Sequence, residues 1–288
     1  MHSGAHLPSR ALLCALLASS ALSQPSSDFI AVPFPLPPFP ALNASRFSGF
    51  YPTSGRPYSA TLATFSDASR FALALNANGC KDHATVSSTA SAGDCEYATN
   101  AGFFDFPPHA ACEGNLYINS SLVQYTSAVY ANFGTTANES FIGYLTAAAA
   151  ASLSPRHLVS GRGWLLREGR DNVNASGDLD PSSAFVKEKA PRTGVGIAQN
   201  GGLLLLTVDG IEGTSGGDLH EFAALLAELG AWHAINLDGG GSTTSYYNGT
   251  VFNQPHCSDT HVICERAVTT ANCTASSTIP NGPLFDVF

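Results

Sequence analysis

The stretch LLLLTVDGIEGTSGGDLHEFAALLAELGAWHAINLDGGGST, residues 203–243, contains two apolar runs that each end at an aspartate. The first run, LLLLTV, stops at Asp209, and the second, AWHAINL, stops at Asp238. Short, wholly apolar runs that are bounded by glycine are typical of buried strands. The stretch therefore predicts two strands, each of which leads into an Asp-Gly turn.

The segment DLHEFAALLAELG between the two runs is typical of a helix. It begins with a capping-box pair, Asp218 and Glu221, carries apolar side chains at helical spacing and stops at Gly230. A strand, a helix and a strand with this connection length favour a right-handed parallel crossover, so Asp209 and Asp238 are expected at one edge of a sheet. The predicted fold class is α/β or α+β, with a mixed β-sheet core and a C-terminal βαβ unit.

Three consecutive glycines, Gly239–Gly241, follow Asp238 and precede the hydroxyl groups of Ser242 and Thr243. Ligands of open parallel sheets bind beyond the carboxyl ends of the strands, where these glycines would let a ligand approach bare backbone N–H groups. The alternative is a tight connection in which the glycines permit positive φ and Asp238 caps the turn. The arrangement suits a sugar or a phosphate that is bound beside a carboxylate.

The composition limits the classes of partner. The chain has 288 residues, of which 44% are hydrophobic, so it can bury the core of one large domain or two small ones. Its formal net charge of -9 argues against nucleic acid and against an anionic membrane as partners. A small anionic substrate stays compatible with this charge, because it needs only a local arginine or a group of backbone donors.

The N-terminal residues 1–23 are predicted to be a cleaved signal peptide, because Arg10 precedes the apolar run ALLCALLASSALS and a small-residue cleavage site. No later segment approaches the roughly 18 apolar residues of a membrane span. We therefore expect no membrane anchor and a soluble mature chain, in a lumen of the secretory pathway or secreted. Residues 24–58 are Pro-rich and predict a loosely ordered lead-in, and residues 59–288 predict a single globular domain.

Six cysteines remain after the signal peptide, an even number in an oxidising compartment, so disulfides are predicted. Metal ligation is the alternative, but Cys257 and Cys264 lack the spacing and the second pair of a zinc site. We expect neither a metal nor another cofactor. N-glycosylation is predicted at Asn43, Asn119, Asn138, Asn174 and Asn248. A sixth sequon begins at Asn272, and a disulfide at Cys273 would block it.

Further motifs extend the pattern. YATNAGFF, residues 97–104, is a strand that runs into Asn-Ala-Gly, and PRTGVGI, residues 191–197, places an arginine before a β-branched, glycine-spaced run. These two motifs occur in order with C-x-G-N, V-D-G, N-L-D-G-G-G-S-T and C-x-R-x-V. Over about residues 59–273 the chain resembles the phosphodiester glycosidase family.

The resemblance implies hydrolysis of a sugar-1-phosphodiester, with α-N-acetylglucosamine released from a phosphate that stays on a mannose of a glycoprotein and is uncovered as mannose 6-phosphate. The implied catalytic residues are Asp238, Asp209, Glu221 and Arg192. The implied substrate-binding residues are Asn100, Gly102, Gly239, Gly240, Gly241, Ser242, Thr243 and Arg266. The implied disulfides are Cys80–Cys112, Cys95–Cys273 and Cys257–Cys264.

The chemistry implied by this set can be stated residue by residue. A departing phosphomonoester has a second pKa of about 6, so it needs charge neutralisation by Arg192 and Arg266 more than it needs a proton. Asp238 is the first candidate for the base or nucleophile and Asp209 the second, with Glu221 in support. Assistance by the substrate's own acetamido group is also open.

The expected partner is a phosphorylated high-mannose glycan or another GlcNAc-1-phosphodiester, and a homo-oligomer is left open. Two other classes of function are compatible with the sequence. A secreted, non-catalytic protein that binds a sugar or phosphosugar would keep the glycines but would not require two carboxylates and an arginine to converge. A phosphodiesterase that breaks the P–O bond would use a similar site.

Overall fold

The computed structural model describes residues 26–37, 41–66, 68–76, 79–105, 111–257, 262–263, 265 and 270–275. The α-helices, in chain order, are α1 Val86–Ala92, α2 Ala147–Leu153, α3 Ala184–Lys187 and α4 Leu219–Glu228. The strands, in chain order, are β1 Asp28–Pro33, β2 Asn43–Phe50, β3 Pro57–Phe65, β4 Phe71–Leu75, β5 Cys95–Asn100, β6 Phe104–Asp105, β7 Ala111–Cys112, β8 Leu116–Ile118, β9 Ser121–Gln124, β10 Ala131–Thr135, β11 Glu139–Tyr144, β12 His157–Gly161, β13 Trp164–Arg167, β14 Arg170–Asp171, β15 Arg192–Ala198, β16 Leu203–Val208, β17 Ala231–Asn236, β18 Ser245–Tyr247, β19 Thr250–Val251, β20 His256–Cys257, β21 Val262–Ile263 and β22 Thr270–Ala275.

Three sheets contain most of these strands. The largest has the order β14-β13-β17-β15-β16-β3-β2, the second β1-β11-β10-β12-β8-β9 and the third β19-β18-β5-β22-β4. Two hairpins, β6-β7 and β20-β21, complete the described strands. The predicted fold class, α/β or α+β with a β-sheet core in a single domain, is confirmed.

Strand β16 of the largest sheet is buried on both faces, and this explains why LLLLTV shows no alternation with polar residues. Leu203 and Leu205 of β16 belong to a core cluster shared with the other two sheets. Leu204 and Leu206 belong to a second cluster, which α4 covers with Phe222 among other residues. Burial of each such side chain contributes about 1.5–3 kcal/mol, so the β16 leucines help to hold layers together on both sides.

The predicted unit of strand, helix and strand is present as β16, α4 and β17, and α4 has the predicted capping box between Asp218 and Glu221. Both strands pair antiparallel with β15, so they run parallel to each other with β15 between them. The sequence does not indicate this intervening strand. The handedness of the crossover stays a prediction.

The expectation of a loosely ordered lead-in over residues 24–58 is wrong for two segments. β1 pairs with β11 along its whole length, and β2 pairs with β3 from Asn43 to Phe50. The Pro-rich run at residues 31–42 led to this interpretation, because local composition does not show that β11 and β3 supply backbone partners for the two segments. The predicted signal peptide, residues 1–23, lies outside the described residues.

Two of the three predicted disulfides, Cys80–Cys112 and Cys95–Cys273, are confirmed. Cys257 is also disulfide-bonded, and Cys264 lies outside the described residues. Among the described helices, none is long and apolar enough to cross a membrane. The asparagines of the five predicted glycosylation sites are exposed, whereas Asn272 is fully buried in β22 and donates to Thr99, so this sixth sequon is inaccessible in the folded chain.

Candidate active site

A cleft of about 240 Å³ lies where β17 ends and β15 begins, and both Asp238 and Arg192 line it. The antiparallel register explains why the two residues meet. Gly194 pairs with Asn236, and the Leu237 N–H donates to the Thr193 carbonyl oxygen at 2.8 Å, so the residues just after β17 lie beside the start of β15. The sheet therefore brings together a carboxylate and a guanidinium that are 46 residues apart in the sequence.

The end of β5 holds the backbone of Asp238 in place. Asn100 Nδ2 donates to the Asp238 carbonyl oxygen at 2.7 Å, and the Asp238 N–H donates to the carbonyl oxygen of Ala101 at 3.0 Å. Asn100 Oδ1 also accepts from Thr193 Oγ1 at 2.7 Å and from the Thr244 N–H at 3.2 Å. Asn100 is fully buried, and it ties three segments together beneath the cleft without lining it.

Gly102 was predicted to bind substrate, and its contacts are with the protein. Its N–H donates to Thr270 Oγ1 at 3.0 Å, and a Cβ at this position would lie 3.1 Å from Val159 Cγ2. Gly102 is therefore a close-packed position behind the Asn-Ala-Gly turn. Its neighbour Phe103 lines the cleft.

The three glycines after Asp238 line the cleft, but most of their N–H groups are already bonded. The Gly239 N–H donates to Asp238 Oδ1 at 2.9 Å, and the Gly240 N–H donates to the Pro191 carbonyl oxygen at 2.9 Å. The expected cradle of bare donors is therefore wrong for Gly239 and Gly240. Close packing explains why residue 239 is glycine, because a Cβ there would lie 2.7 Å from Pro191 O. The backbone conformation explains why residue 240 is glycine, because its φ is +56°.

The two hydroxyl residues after the glycines differ in position. Ser242 lines the cleft, whereas Thr243 is buried and is not among the residues that line it. The Thr243 carbonyl oxygen accepts from Asn253 Nδ2 at 3.0 Å, and its Oγ1 has no hydrogen-bond partner within the described part of the chain. Ser242 remains a candidate for direct contact with a ligand.

Arg192 is only 3% exposed, and the protein orients its guanidinium. Nε donates to the Gly217 carbonyl oxygen at 3.0 Å, and Nη2 donates to the carbonyl oxygens of Phe185 at 3.0 Å and Glu188 at 2.8 Å. Nη1 has no partner among the described residues. Burial lowers the pKa of Arg192 to about 10, against the opposing effect of the Glu188 carboxylate, so the side chain is charged at neutral pH.

Asp209 lies at the end of β16, as predicted, but it does not line the cleft. Its Oδ1 accepts from Asn253 Nδ2 and from the Gln254 N–H, both at 3.0 Å. Its Oδ2 accepts from Ser59 Oγ at 3.2 Å and lies 3.6 Å from Arg46 Nη2. Because Asn253 in turn holds the loop after Asp238, Asp209 supports this loop from behind.

Glu221 also lies away from the cleft. Its carboxylate accepts from Arg56 at 2.9 Å, from Lys189 at 3.0 Å and from Ser54, and it completes the capping box with Asp218. Burial acts to raise the pKa of Glu221, but these hydrogen bonds outweigh it and hold the pKa below the ordinary value, so the group is ionised. Glu221 therefore anchors the loop that carries Lys189 and, three residues later, Arg192.

The remaining predicted residue, Arg266, lies outside the described residues. Two acidic residues that the sequence reasoning missed, Glu188 and Glu212, line the cleft together with three phenylalanines, Phe103, Phe104 and Phe185. Glu212 follows Asp209 by three positions, and Glu188 precedes Arg192 by four, so proximity to the two motifs was the available signal. Arg192 is the one basic side chain among the described residues of the cleft.

The cleft therefore combines a buried arginine and a carboxylate with three phenylalanines and two further acidic residues. A family model described as phosphodiester glycosidase matches residues 93–273. N-acetylglucosamine-1-phosphodiester alpha-N-acetylglucosaminidase from mouse is 35% identical over 215 residues, which are 68% of this chain and 41% of that protein. The human protein is 34% identical over 211 residues, again 68% of this chain and 41% of that protein.

Solved structures agree with this match. The catalytic domain of zebrafish N-acetylglucosamine-1-phosphodiester alpha-N-acetylglucosaminidase, auto-inhibited by its pro-peptide, has a TM-score of 0.77 at 28% identity and covers 87% of this chain and 88% of that chain. A hypothetical protein from Synechocystis has the same fold, with a TM-score of 0.58 at 19% identity over 80% of this chain and 61% of that chain. The chain belongs to the phosphodiester glycosidase family. It spans about two fifths of the length of the curated relatives it matches.

Proposed function

We propose that this chain hydrolyses the glycosidic bond of a sugar-1-phosphodiester. The substrate is a GlcNAc-phospho-mannose group on a glycoprotein glycan, from which α-N-acetylglucosamine is released and mannose 6-phosphate is uncovered. The observation that carries the proposal is the presence of both Asp238 and Arg192 in the lining of one cleft. Membership of the family, and the names of the mouse, human and zebrafish relatives, support the class of substrate.

Arg192 binds the phosphate. The departing phosphomonoester has a second pKa of about 6, so the site has to neutralise charge more than it has to supply a proton. Arg192 is suited to this task because backbone carbonyls fix its Nε and Nη2, and a pre-oriented guanidinium loses little entropy when it binds an anion. Arg266, carried over from the family resemblance, is the second proposed contact to the phosphate.

Asp238 acts at the sugar carbon, as a base for water or as the nucleophile. The Gly239 N–H on its Oδ1 fixes the orientation of the carboxylate. Glu188 and Glu212 accept hydrogen bonds from sugar hydroxyls, and the phenylalanine rings pack against the apolar faces of the sugar. The structural positions of Asp209 and Glu221 support positioning roles for both in place of the catalytic roles implied by the resemblance.

Hydrolysis in ¹⁸O-labelled water tests the proposal. The purified chain is incubated with GlcNAc-α-phospho-methylmannoside, and both products are analysed by mass spectrometry. Glycosidic cleavage breaks the C1–O bond, so ¹⁸O enters the free GlcNAc and the phosphate stays unlabelled. Label in the phosphate would identify P–O cleavage, and binding of the substrate without turnover would identify a non-catalytic binding protein.

The proposed setting is a lumen of the secretory pathway or the extracellular space. The disulfides support it, because such bonds persist in oxidising compartments, and the five exposed sequons are accessible to glycosylation there. The proposed partner in this setting is a phosphorylated high-mannose glycan. Tryptic mapping of the chain secreted by a eukaryotic host would locate both the mature N-terminus and the glycans.

A further inference from the structure

A second concave surface of about 700 Å³ lies next to β10 and α2. We call it the tyrosine groove, because Tyr125, Tyr130 and Tyr144 line it. Most of the other residues that line it are serine, threonine or alanine, and none of the described residues that line it is charged. Its volume falls in the range of roughly 300–1,000 Å³ that small-molecule sites occupy in proteins.

The lining of the tyrosine groove matches the chemistry of a neutral oligosaccharide. A sugar has apolar C–H faces and a rim of hydroxyl groups, and a tyrosine ring offers a flat apolar surface with a polar end. Serine and threonine hydroxyls both donate and accept hydrogen bonds, as sugar hydroxyls do. A charged ligand would lose its hydration without meeting an opposite charge on the described lining residues, so an ionic ligand fits poorly.

The tyrosine groove is pre-formed on one side and open on the other. Tyr144 Oη is held by the Gly177 N–H at 2.7 Å, by Ser176 Oγ at 2.9 Å and by Asp178 Oδ1 at 3.1 Å, so its ring is fixed. On the open side, Tyr125 is 39% exposed and Val129 is 51% exposed. Exposed apolar side chains that border a concave surface are typical of binding sites.

A short chain of side chains connects the tyrosine groove to the cleft. Tyr130 Oη donates to Glu113 Oε2 at 3.5 Å, and Glu113 forms an ion pair with Arg162. The Arg162 guanidinium lies 5.0 Å from the centroid of the Phe103 ring, and Phe103 lines the cleft. The groove and the cleft are therefore neighbours, separated by the side chains of Glu113 and Arg162.

We propose that the tyrosine groove binds the neutral sugars of the glycan whose phosphodiester occupies the cleft. The identity of this glycan rests on the proposed function. The volume of the cleft, about 240 Å³, lies below the usual range for a whole small-molecule ligand, so sugars beyond the phosphodiester have to lie outside it. The tyrosine groove is the adjacent surface with the matching chemistry.

Direct binding tests the proposal without catalysis. Unphosphorylated α-mannopentaose is titrated into the full chain by calorimetry, and into a Tyr125→Ala/Val129→Ala variant. We expect binding to the wild type and at least a roughly tenfold loss of affinity in the variant, since the aromatic anchor of a site contributes much of its binding energy. Phe50→Ala is the matched control, because Phe50 is an exposed apolar residue, 71% exposed, on β2. It should bind mannopentaose as the wild type does.

A kinetic experiment separates the tyrosine groove from the cleft. We expect the wild type to prefer GlcNAc-phospho-mannopentaose over GlcNAc-phospho-mannose through a KM at least about fivefold lower, and the groove variant to lose this preference. Equal KM values for the two substrates in the wild type, with no calorimetric binding of mannopentaose, would overturn the groove proposal and leave the proposed function standing. Mannopentaose binding that depends on Tyr125, without hydrolysis of either substrate, would support the groove and contradict the proposed function.

Sedimentation velocity tests whether a second copy of the chain, and not a sugar, occupies the tyrosine groove. A wild-type dimer that dissociates in the Tyr125→Ala/Val129→Ala variant, and stays intact in Phe50→Ala, would show that the tyrosine groove is a subunit interface and would overturn the proposal. The same sedimentation profile for all three proteins agrees with a sugar-binding groove.

Discussion

The turn after β16 and the turn after β17 share the dipeptide Asp-Gly but differ in their contacts and in their position relative to the cleft. Each follows a largely buried strand and contains Asp-Gly, and the two strands run in the same direction. Asp238 lines the cleft with a carboxylate that is oriented by the adjacent Gly239 N–H. Asp209, by contrast, accepts hydrogen bonds from Ser59 and Asn253 and lies outside the lining of the cleft.

The difference comes from what each aspartate meets from distant parts of the chain. Asn253 is 44 residues from Asp209 and arrives through the segment after β19. It uses one amide to bond Asp209 and the Thr243 carbonyl, so the first turn becomes part of the support for the second. An apolar strand that leads into Asp-Gly therefore marks an edge of the sheet, and long-range contacts decide which aspartate lines the cleft.

The largest expected effect separates the two aspartates by turnover. Asp238→Asn keeps an oxygen for the Gly239 N–H but removes the basic lone pair, so we expect kcat on GlcNAc-α-phospho-methylmannoside to fall by roughly 10² to 10⁴. Asp209→Asn should keep kcat within about tenfold of the wild type, because its carboxylate supports the loop after Asp238 and does not line the cleft. Steady-state kinetics of the two variants, with circular dichroism as a check on folding, makes the comparison. Similar losses of kcat in both would show that the two turns are not functionally distinct.

The second prediction tests Arg192, which lines the same cleft as Asp238. Arg192→Gln should lower kcat/KM on the phosphodiester by about 10², the scale of losing one positioned donor to a developing charge. The loss should be smaller on a GlcNAc α-glycoside with an activated phenol as leaving group, because less phosphate-specific stabilisation is removed. The ratio of kcat/KM values on the two substrates, in wild type and variant, is the measurement. An equal loss on both substrates would contradict a phosphate-binding role.

The local elements could be read from the sequence because their signals are local. The capping box of α4 and the bounds of β16 follow from periodicity and terminal residues, and the structure has both of them. β1 and β2 were missed because their partners, β11 and β3, decide whether these segments are strands. The Pro-rich run between them favoured a loosely ordered segment, because the prediction relied on local composition.

The candidate site was predictable in part for the same reason. Asp238 and Arg192 stand in motifs that resemble the family, and the register of β15 with β17 brings them together. Glu188 and Glu212 lie in loops without periodicity, where a glutamate reads as an ordinary surface residue. Their position in the cleft depends on how the loops before β15 and after β16 fold against each other, and no local pattern contains this information.

A third prediction concerns the link between the two turns. Asp209→Ala and Asn253→Ala should each reduce the free energy of unfolding by about 1–3 kcal/mol, because each leaves buried hydrogen-bonding groups without a partner. The double variant should lose less than the sum, with a coupling energy of about 1 kcal/mol or more. Urea unfolding of the four proteins of the cycle measures it. Additive effects would mean that Asn253 does not transmit support from Asp209 to the loop after Asp238.

The smallest expected effect is the loss of unfolding free energy when Gly240 is replaced. Strain in the backbone and contact with a neighbouring side chain are two possible causes of this loss, and they predict different outcomes. The φ of Gly240 is +56°, and a Cβ would lie 3.1 Å from Glu212 Oε2. If backbone strain dominates, Gly240→Ala should cost about 1–2 kcal/mol of unfolding free energy, and Gly240→Asn should cost less, because asparagine tolerates the left-handed region better. We expect this order, since Glu212 Oε2 is the movable end of a flexible side chain.

The Glu212→Ala background distinguishes strain from contact at Gly240. Strain is a property of the backbone, so the cost of Gly240→Ala should be unchanged when Glu212 is truncated, and urea midpoints of the two pairs of proteins measure this. If the cost of Gly240→Ala disappears in the Glu212→Ala background, the contact between the new Cβ and Glu212 is what requires glycine at residue 240. In that case the loop after Asp209 would limit the shape of the loop after Asp238 directly, in addition to supporting it through Asn253, and the two Asp-Gly turns would be one structural unit.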